Sequence, residues 1–368
     1  MDMIAPDTLA PEVLRILPPL WLADEDDVLV CCQRRQETDD VVSFLFRPRN
    51  PALFRFTAGQ FLTLELEIGG ETINRCYTIS SSPTRPDRLS ITVKRTPGGI
   101  VSNWLHDNLQ PGMSLRALGP AGEFCAGNHP APKYLFLSGG SGITPLMSMA
   151  RSAHDLAEPC DIVFVHSART PRDIIFRGEL ALMTANLSGF RTAFVCERTD
   201  GEPAWAAPTG YLNLPLLELI APDFAQREVF CCGPAPYMAA VRAVLAAGGF
   251  DMARYHEESF TFADMAEDSV VPADADAPAV GEGHAVEFAK SGITVHCAPG
   301  QSVLEAARAA GLRLPSSCTK GVCGTCKSQL VSGQVDMKHG GGIRQREIDK
   351  GMFLPCCSTP LTDLVLDR

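Results

Sequence analysis

Four cysteines constrain this chain more than any other feature: Cys318, Cys323 and Cys326 stand as C-x4-C-x2-C, and Cys356 follows after 29 further residues. That spacing suits a plant-type [2Fe-2S] cluster, in which a tight loop wraps three thiolates around one side and a distant segment closes the other. Soft, anionic sulfur is the donor such iron takes, and Gly321 and Gly324 give a wrapping loop its backbone freedom. Zinc is the alternative for a cysteine set, but zinc sites favour two C-x2-C pairs, whereas this loop has one pair and an outlying thiol. Cys357, next to the fourth ligand, reads as a packing or supporting thiol, and Cys297 as a core residue. The chain has 14 cysteines in all, and in a long sequence without an evident leader this points to metal binding or reactive thiols rather than to disulfides.

A length of 368 residues, 45% of them hydrophobic, exceeds what one core supports, so several domains are expected. Residues 261–284 hold six acidic residues and no Lys or Arg among many Ala and Pro, a composition that reads as an acidic flexible linker. Residues 285–368, with ten Lys and Arg against seven Asp and Glu, form a separate module around the cysteine motif. Within residues 25–128, short alternating runs such as Phe61 to Glu67 and Leu89 to Val93 are punctuated by Gly-Gly and Pro-Gly pairs, which predicts an antiparallel β-barrel. Residues 129–260 alternate apolar strand-like runs (Tyr134 to Leu137, Asp161 to Val165, Thr192 to Cys196, Glu228 to Cys232) with helical ones (Leu146 to Leu156, Leu214 to Ile220, Pro236 to Ala247). That rhythm predicts an α/β doubly wound parallel sheet.

Two further motifs carry chemistry. In the second domain, a strand-like run enters Ser138-Gly139-Gly140-Ser141-Gly142-Ile143-Thr144-Pro145, where glycines let backbone amides approach a pyrophosphate and a proline suits the first helical turn. A later strand ends in Cys232-Gly233-Pro234, with Cys231 expected on the opposite face by period-two alternation. In the first domain, Arg75-Cys76-Tyr77-Thr78 is followed one strand later by Gly98-Gly99-Ile100-Val101-Ser102. These motifs resemble the ferredoxin-NADP reductase superfamily, with its R-x-Y-[ST], G-x-x-S and C-G-P signatures.

The resemblance implies FAD in the barrel, FMN being an alternative that Arg75 and Tyr77 would serve equally. It implies that Arg75 pairs with the flavin phosphate, that Tyr77 lies on the isoalloxazine face, and that Thr78 hydrogen-bonds near the reactive flavin nitrogen. Gly99, the Val101 and Ser102 amides and the Ser102 hydroxyl would hold the pyrophosphate, with Val93 and Lys94 as backbone contacts. In the second domain it implies an NADH or NADPH site over Gly139, Gly140, Gly142, Gly233 and Pro234, with Cys232 near the nicotinamide and Thr144 between the two rings. The adenosine ribose is expected near His166 to Arg169 and Glu197-Arg198, with Arg169 a cofactor contact and NADH the leaning. For the C-terminal module it implies the α+β β-grasp fold of plant-type ferredoxins.

The domain order, together with stretches such as Pro97 to Leu109, Gly210 to Leu214 and Tyr255-His256-Glu257-Glu258-Ser259-Phe260, is similar to the reductases that serve Rieske oxygenases, among them those demethylating glycine betaine and related quaternary ammonium compounds. Reductases of the hybrid cluster protein share this order and are the alternative, and a self-contained flavin oxidase or sensor is a further rival. A Rieske oxygenase is therefore the expected electron acceptor. A net charge of −11 with no Lys/Arg-rich run argues against nucleic acid, no apolar run approaches the roughly 20 residues a membrane span needs, and the acidic start suggests a cytoplasmic protein. Lys320, Lys327, Lys338, Arg344 and Arg346 are expected to steer the cluster module onto an acidic partner surface.

Overall fold

The computed structural model describes residues 18–200, 202, 204–260, 283–312, 314–316 and 318–368. Of the acidic segment 261–284, only Gly283 and His284 fall among these, so the expected linker lies outside the described residues.

Six antiparallel strands make the first unit: β1 (Val28–Thr38), β2 (Val41–Pro48), β3 (Phe61–Ile68), β4 (Glu71–Thr78), β5 (Leu89–Lys94) and β6 (Ser114–Ala121), in the order β4-β3-β6-β1-β2-β5. A bridge between Ile79 and Ile91 links the chain leaving β4 to β5 and so brings the two edges together into a barrel. Its core is aliphatic and aromatic, with Leu29, Phe44, Phe46, Leu62, Leu64 and Ile91 fully buried. Closing the sheet removes the exposed edges that would otherwise template aggregation. Simple alternation would leave Thr63 and Glu65 of β3 in solvent. Both are buried, because the C-terminal unit covers this outer face of the barrel.

The second unit is a parallel sheet of β7 (Lys133–Gly139), β8 (Asp161–Ala168), β9 (Phe190–Cys196), β10 (Glu228–Cys232) and β11 (Tyr255–Glu258), ordered β11-β10-β7-β8-β9. One face is packed by a cluster containing residues of the helices Ile143–Asp155 and Arg177–Asn186, the other by one containing residues of Leu214–Ile220 and Ala235–Ala247. Cys232 belongs to the first face and Cys231 to the second. The chain steps from β7 toward β8 and β9 and later returns to the other side of β7 as β10. The strand order therefore reverses between β7 and β10, the crevice where open α/β sheets take their ligands.

The third unit mixes β12 (His284–Phe288), β13 (Ile293–Cys297), β14 (Ser328–Ser332), β16 (Met352–Phe353) and β18 (Leu364–Leu366), ordered β13-β12-β18-β14-β16, with β15 (Val335–Met337) and β17 (Ser358–Pro360) as a separate pair. The helix Val303–Ala309 begins at a capping box of Ser302 and Glu305 and buries Val303, Leu304, Ala306 and Ala307 in this unit's core, where Cys297 also lies. No helix among the described residues is long and apolar enough to cross a membrane.

Candidate redox sites and the junction between them

The four motif cysteines converge. Cys326 Sγ lies 3.3 Å from Cys356 Sγ, and Cys318, on the loop's outer side, receives the backbone amides of Lys320 at 3.4 Å and Val322 at 3.3 Å. The thiols of Cys318, Cys326 and Cys357 point at the Cys356 sulfur and hold it far below the ordinary thiol range. That same pairing, and after it burial, push Cys326 up. Four crowded sulfurs with amides turned toward one of them fit an iron-sulfur cluster, which needs thiolates and stabilises them by amide donors. Cys357 donates to Leu354 O at 3.7 Å and flanks Gly321, where a Cβ would sit 2.6 Å from its sulfur. Gly321 has φ +69°, a second reason for glycine there.

Arg75, Tyr77 and Thr78 from β4, Lys94 from β5, and Gly99, Val101 and Ser102 at the start of the helix Ile100–Asn108 line a cavity of about 340 Å³. Ser141 and Thr144 of the second unit close its far side. The Thr78 hydroxyl is buried without a hydrogen-bond partner among the described residues, as expected of a group waiting for a ligand. Helix 100–108 starts at Gly99 with no side-chain cap, so its first amides and dipole face the cavity available to an anion. These features fit a flavin nucleotide.

Val93 and Ser102 already have partners within the chain. Val93 is buried behind the cavity wall, its carbonyl 2.9 Å from His106 Nε2, so it does not face the cavity. The Ser102 hydroxyl accepts from the Thr96 amide at 3.1 Å and donates to Gly99 O at 3.4 Å, so it braces the loop at the cavity wall.

At the reversal point of the parallel sheet, Gly142 is pressed against the end of β10: a Cβ would lie 2.2 Å from Cys232 O and 2.6 Å from Gly233 N. Gly139 and Gly233 both face the ring of Tyr237, at 3.0 and 2.7 Å from their built Cβ positions. Only glycines let strand ends and turn meet this closely. Pro234 caps the following helix, and Cys232 is fully buried with its thiol pushed well up by burial. Thr144 donates to Ser141 O at 3.1 Å at the seam between the two units. His166 is buried, and burial pushes its imidazole down to about 3, so it stays neutral. Arg169 lies between Asp40 at 3.1 Å and Asp173 at 2.9 Å, and Arg198 pairs with Asp200 at 2.7 Å.

A second cavity of about 1120 Å³ joins all three units, lined by Cys76 and Thr78, by Phe230 and Tyr255 to Phe260, and by Cys318, Lys320, Val322 and Cys323. Thr78, Cys76 and Phe260 line both cavities. Phe260 and Glu258 escaped the motif-based reading, their only signal being the Tyr255–Phe260 stretch at the end of the domain. Burial raises the Glu258 carboxyl to about 8, and its Oε2 has no hydrogen-bond partner among the described residues. Cys76, hidden as the variable position of R-x-Y-T, also went unnoticed.

Two basic residues of the cluster unit, Lys327 and Arg344, face inward. Arg344 is buried, bonding Glu65 at 3.1 Å, Ala117 O at 3.2 Å, Asp27 at 3.2 Å and Glu347 at 3.3 Å. Lys327 pairs with Glu347 at 2.7 Å and approaches Glu65 at 3.7 Å, and Arg346 bonds Asp27. These contacts clamp this unit to the barrel, which corrects the expectation for Lys327 and Arg344 that they steer a partner. Lys320, Lys338 and Arg346 remain exposed.

Three modules with these cavities define a pyridine-nucleotide oxidoreductase that uses flavin and an iron-sulfur centre. When bound, the flavin of such an enzyme accepts a hydride and releases the electrons singly. The sequence matches the family models described as oxidoreductase FAD-binding domain over residues 30–125, oxidoreductase NAD-binding domain over 136–243, and 2Fe-2S iron-sulfur cluster binding domain over 286–361. It is 51% identical over 343 residues to the glycine betaine monooxygenase reductase subunit of Pseudomonas aeruginosa, covering 92% of this chain and 94% of that one. It is 46% identical to the stachydrine N-demethylase reductase subunit of Rhizobium meliloti, covering 90% and 94%. Among solved structures it resembles phthalate dioxygenase reductase, with a TM-score of 0.56 and 26% identity over 95% of this chain and all of that one. The chain belongs to the family of oxygenase and demethylase reductase subunits that these relatives represent, and is an NAD(P)H-dependent flavoprotein oxidoreductase with FAD-binding, NAD-binding and [2Fe-2S] domains.

Proposed function

We propose that this protein is the reductase component of a Rieske oxygenase system that demethylates glycine betaine or a related quaternary ammonium compound, passing electrons from NADH to the oxygenase. The observation that carries this reading is 51% identity over 92% of the chain to a glycine betaine monooxygenase reductase subunit, reinforced by 46% identity to a stachydrine N-demethylase reductase. The reading takes residues 25–128 as the FAD domain, 129–260 as the NAD domain and 285–368 as the ferredoxin domain, in a cytoplasmic protein.

Arg75 and the amides of Gly99, Val101 and Ser102 hold the flavin phosphates, Tyr77 covers one ring face, and Thr78 bonds the ring edge with its otherwise unpartnered hydroxyl. Gly139, Gly140, Gly142, Gly233 and Pro234 admit the dinucleotide, Thr144 and Cys232 border the nicotinamide, and Phe260 excludes water beside the flavin. Cys318, Cys323, Cys326 and Cys356 hold the cluster. Pairing of Arg169 with Asp40 and Asp173 offsets the charge that a 2′-phosphate would seek, which favours NADH.

The test is reconstitution: purified protein, NADH or NADPH, a Rieske oxygenase and betaine, scored by formaldehyde. Formaldehyde that depends on this protein, with NADH the better donor, is expected. Rapid NADH oxidation without formaldehyde from betaine or stachydrine would refute the assignment.

A further inference from the structure

Three side chains from three segments meet at the edge of the parallel sheet, outside the flavin, nucleotide and cluster motifs. The parallel register of β10 and β11 sets Phe230 opposite His256, and alternation puts Glu228 on the same face as Phe230. His256 Nε2 and Glu228 Oε1 are therefore neighbours, 2.6 Å apart. The third side chain comes from outside the sheet. His129, on the connection from the barrel to β7, stacks on His256 with ring centroids 3.6 Å apart and planes inclined by 28°. Its backbone is fixed there, the amide donating to Ala126 O at 2.9 Å and the carbonyl accepting from the Tyr134 hydroxyl at 3.2 Å. Potential ligand atoms of the three residues all lie within 4.8 Å of one another. Phe230 packs against both imidazoles, its ring centroid 5.9 Å from that of His129 and 4.9 Å from that of His256, and gives the group an apolar floor. His129 and His256 also line the junction cavity of about 1120 Å³.

We propose that His129, Glu228 and His256 together bind one divalent cation of borderline softness, with Zn²⁺ the type. Two imidazoles and a carboxylate are the donor set of a three-ligand zinc site, which leaves its fourth position to water, and here the junction cavity gives water access. Metal–donor bonds of about 2.0–2.2 Å put tetrahedral ligand atoms about 3.4 Å apart, so a group spanning at most 4.8 Å closes on the ion by a side-chain adjustment of about 1 Å. The ion takes the place of the hydrogen in the Glu228–His256 bond. Imidazole nitrogen selects against Mg²⁺ and Ca²⁺, which take oxygen ligands. An ion pair alone engages Glu228 and His256 and leaves the His129 ring nitrogens without a hydrogen-bond partner among the described residues, whereas a shared ion uses all three side chains. Such an ion ties β11, the edge strand, to the chain that leaves the barrel. β11 ends two residues before Phe260, which lines both cavities, so the tie fixes the segment that borders the flavin cavity.

The experiment is equilibrium dialysis of the full-length, cofactor-loaded protein against Zn²⁺, with iron, acid-labile sulfide and flavin assayed before and after. Wild type should take up one Zn²⁺ per chain while keeping its iron, sulfide and flavin, and excess Mg²⁺ should not displace it. Glu228→Gln keeps a hydrogen bond to His256 without the charge, and His129→Phe keeps a ring for the stack without a donor. Each should bind Zn²⁺ at least about 100-fold more weakly, since loss of an outer partner of a ligand alone costs about 10–100-fold. Zn²⁺ should raise the Tm of wild type and leave that of both variants unmoved, because only an ion bound to the folded chain stabilises it. Should one variant fail to fold with its cofactors, the other carries the same expectation. No uptake by wild type, or equal uptake by a fully loaded variant, would overturn the proposal. So would uptake matched by loss of iron and sulfide, which would put the ion on the cluster cysteines.

Discussion

Arg344→Met should loosen the cluster domain from the barrel while leaving each domain folded. The Arg344 side chain is 1% exposed and bonds carboxylates of Glu65 and Asp27 that are themselves only 7% and 10% exposed. Removing one partner of a buried pair typically costs about 3–5 kcal/mol, because the opposite charge stays buried without compensation. Compensation remains here: Arg116 reaches Asp27 at 2.8 Å and Glu65 at 3.2 Å, Lys327 approaches Glu65, and Arg346 bonds Asp27. The cost should therefore fall at the low end, about 3 kcal/mol, which lowers the docking equilibrium constant on the order of 100-fold. Stopped-flow mixing with NADH separates the steps: flavin reduction should keep its wild-type rate, and passage of electrons to the cluster should slow. Arg344→Lys, which keeps the charge but loses the planar fork, should be intermediate. Cluster reduction at the wild-type rate in Arg344→Met would refute the clamp.

Three other outcomes follow from the geometry. Cys356→Ser should lose iron and acid-labile sulfide while retaining flavin, whereas Cys357→Ser should retain all three; the reverse pattern would exchange the two roles. Gly142→Ala would set a methyl group 2.2 Å from Cys232 O, so the KM for NADH should rise about tenfold or more with flavin content unchanged, and an unaltered KM would refute the tight crevice. The folded value of Glu258, about 8, lies above its ordinary 4.5, so the stability it confers is complete below pH 4.5 and is lost as pH rises through 8. Glu258→Gln should flatten the fall in Tm across that window, and an equal fall in both proteins would argue against a buried neutral carboxyl.

The features legible in the sequence were those whose chemistry is set by neighbours in the chain. C-x4-C-x2-C fixes a loop within a few residues, so spacing singled out Cys318, whereas Arg75 and Cys232 were singled out by the resemblance of R-x-Y-T and C-G-P to a known superfamily. The motifs did not show the intrachain partners of Ser102, whose hydroxyl turns to Thr96 and Gly99, or of Val93, whose carbonyl meets His106. Composition likewise suggested that Lys327, Arg344 and Arg346 faced a partner, since nothing in their own segment predicts that Glu65, 279 positions from Arg344, lies against them. Long-range pairing between domains leaves almost no local trace, and Thr63 and Glu65 look like the solvent side of an ordinary amphipathic strand.

Cys76 shows what that lost information is worth. In the sequence it is the interchangeable residue between two flavin contacts. In the fold it lines both the flavin cavity and the larger cavity that reaches Cys318 and Cys323, so one peptide segment borders both candidate redox sites. A site divided between two domains can respond to their separation in a way that one built within a single domain cannot. The charge clamp at Arg344 is such a site, its partners Glu65 and Asp27 lying on the barrel and Arg344 itself on the cluster domain.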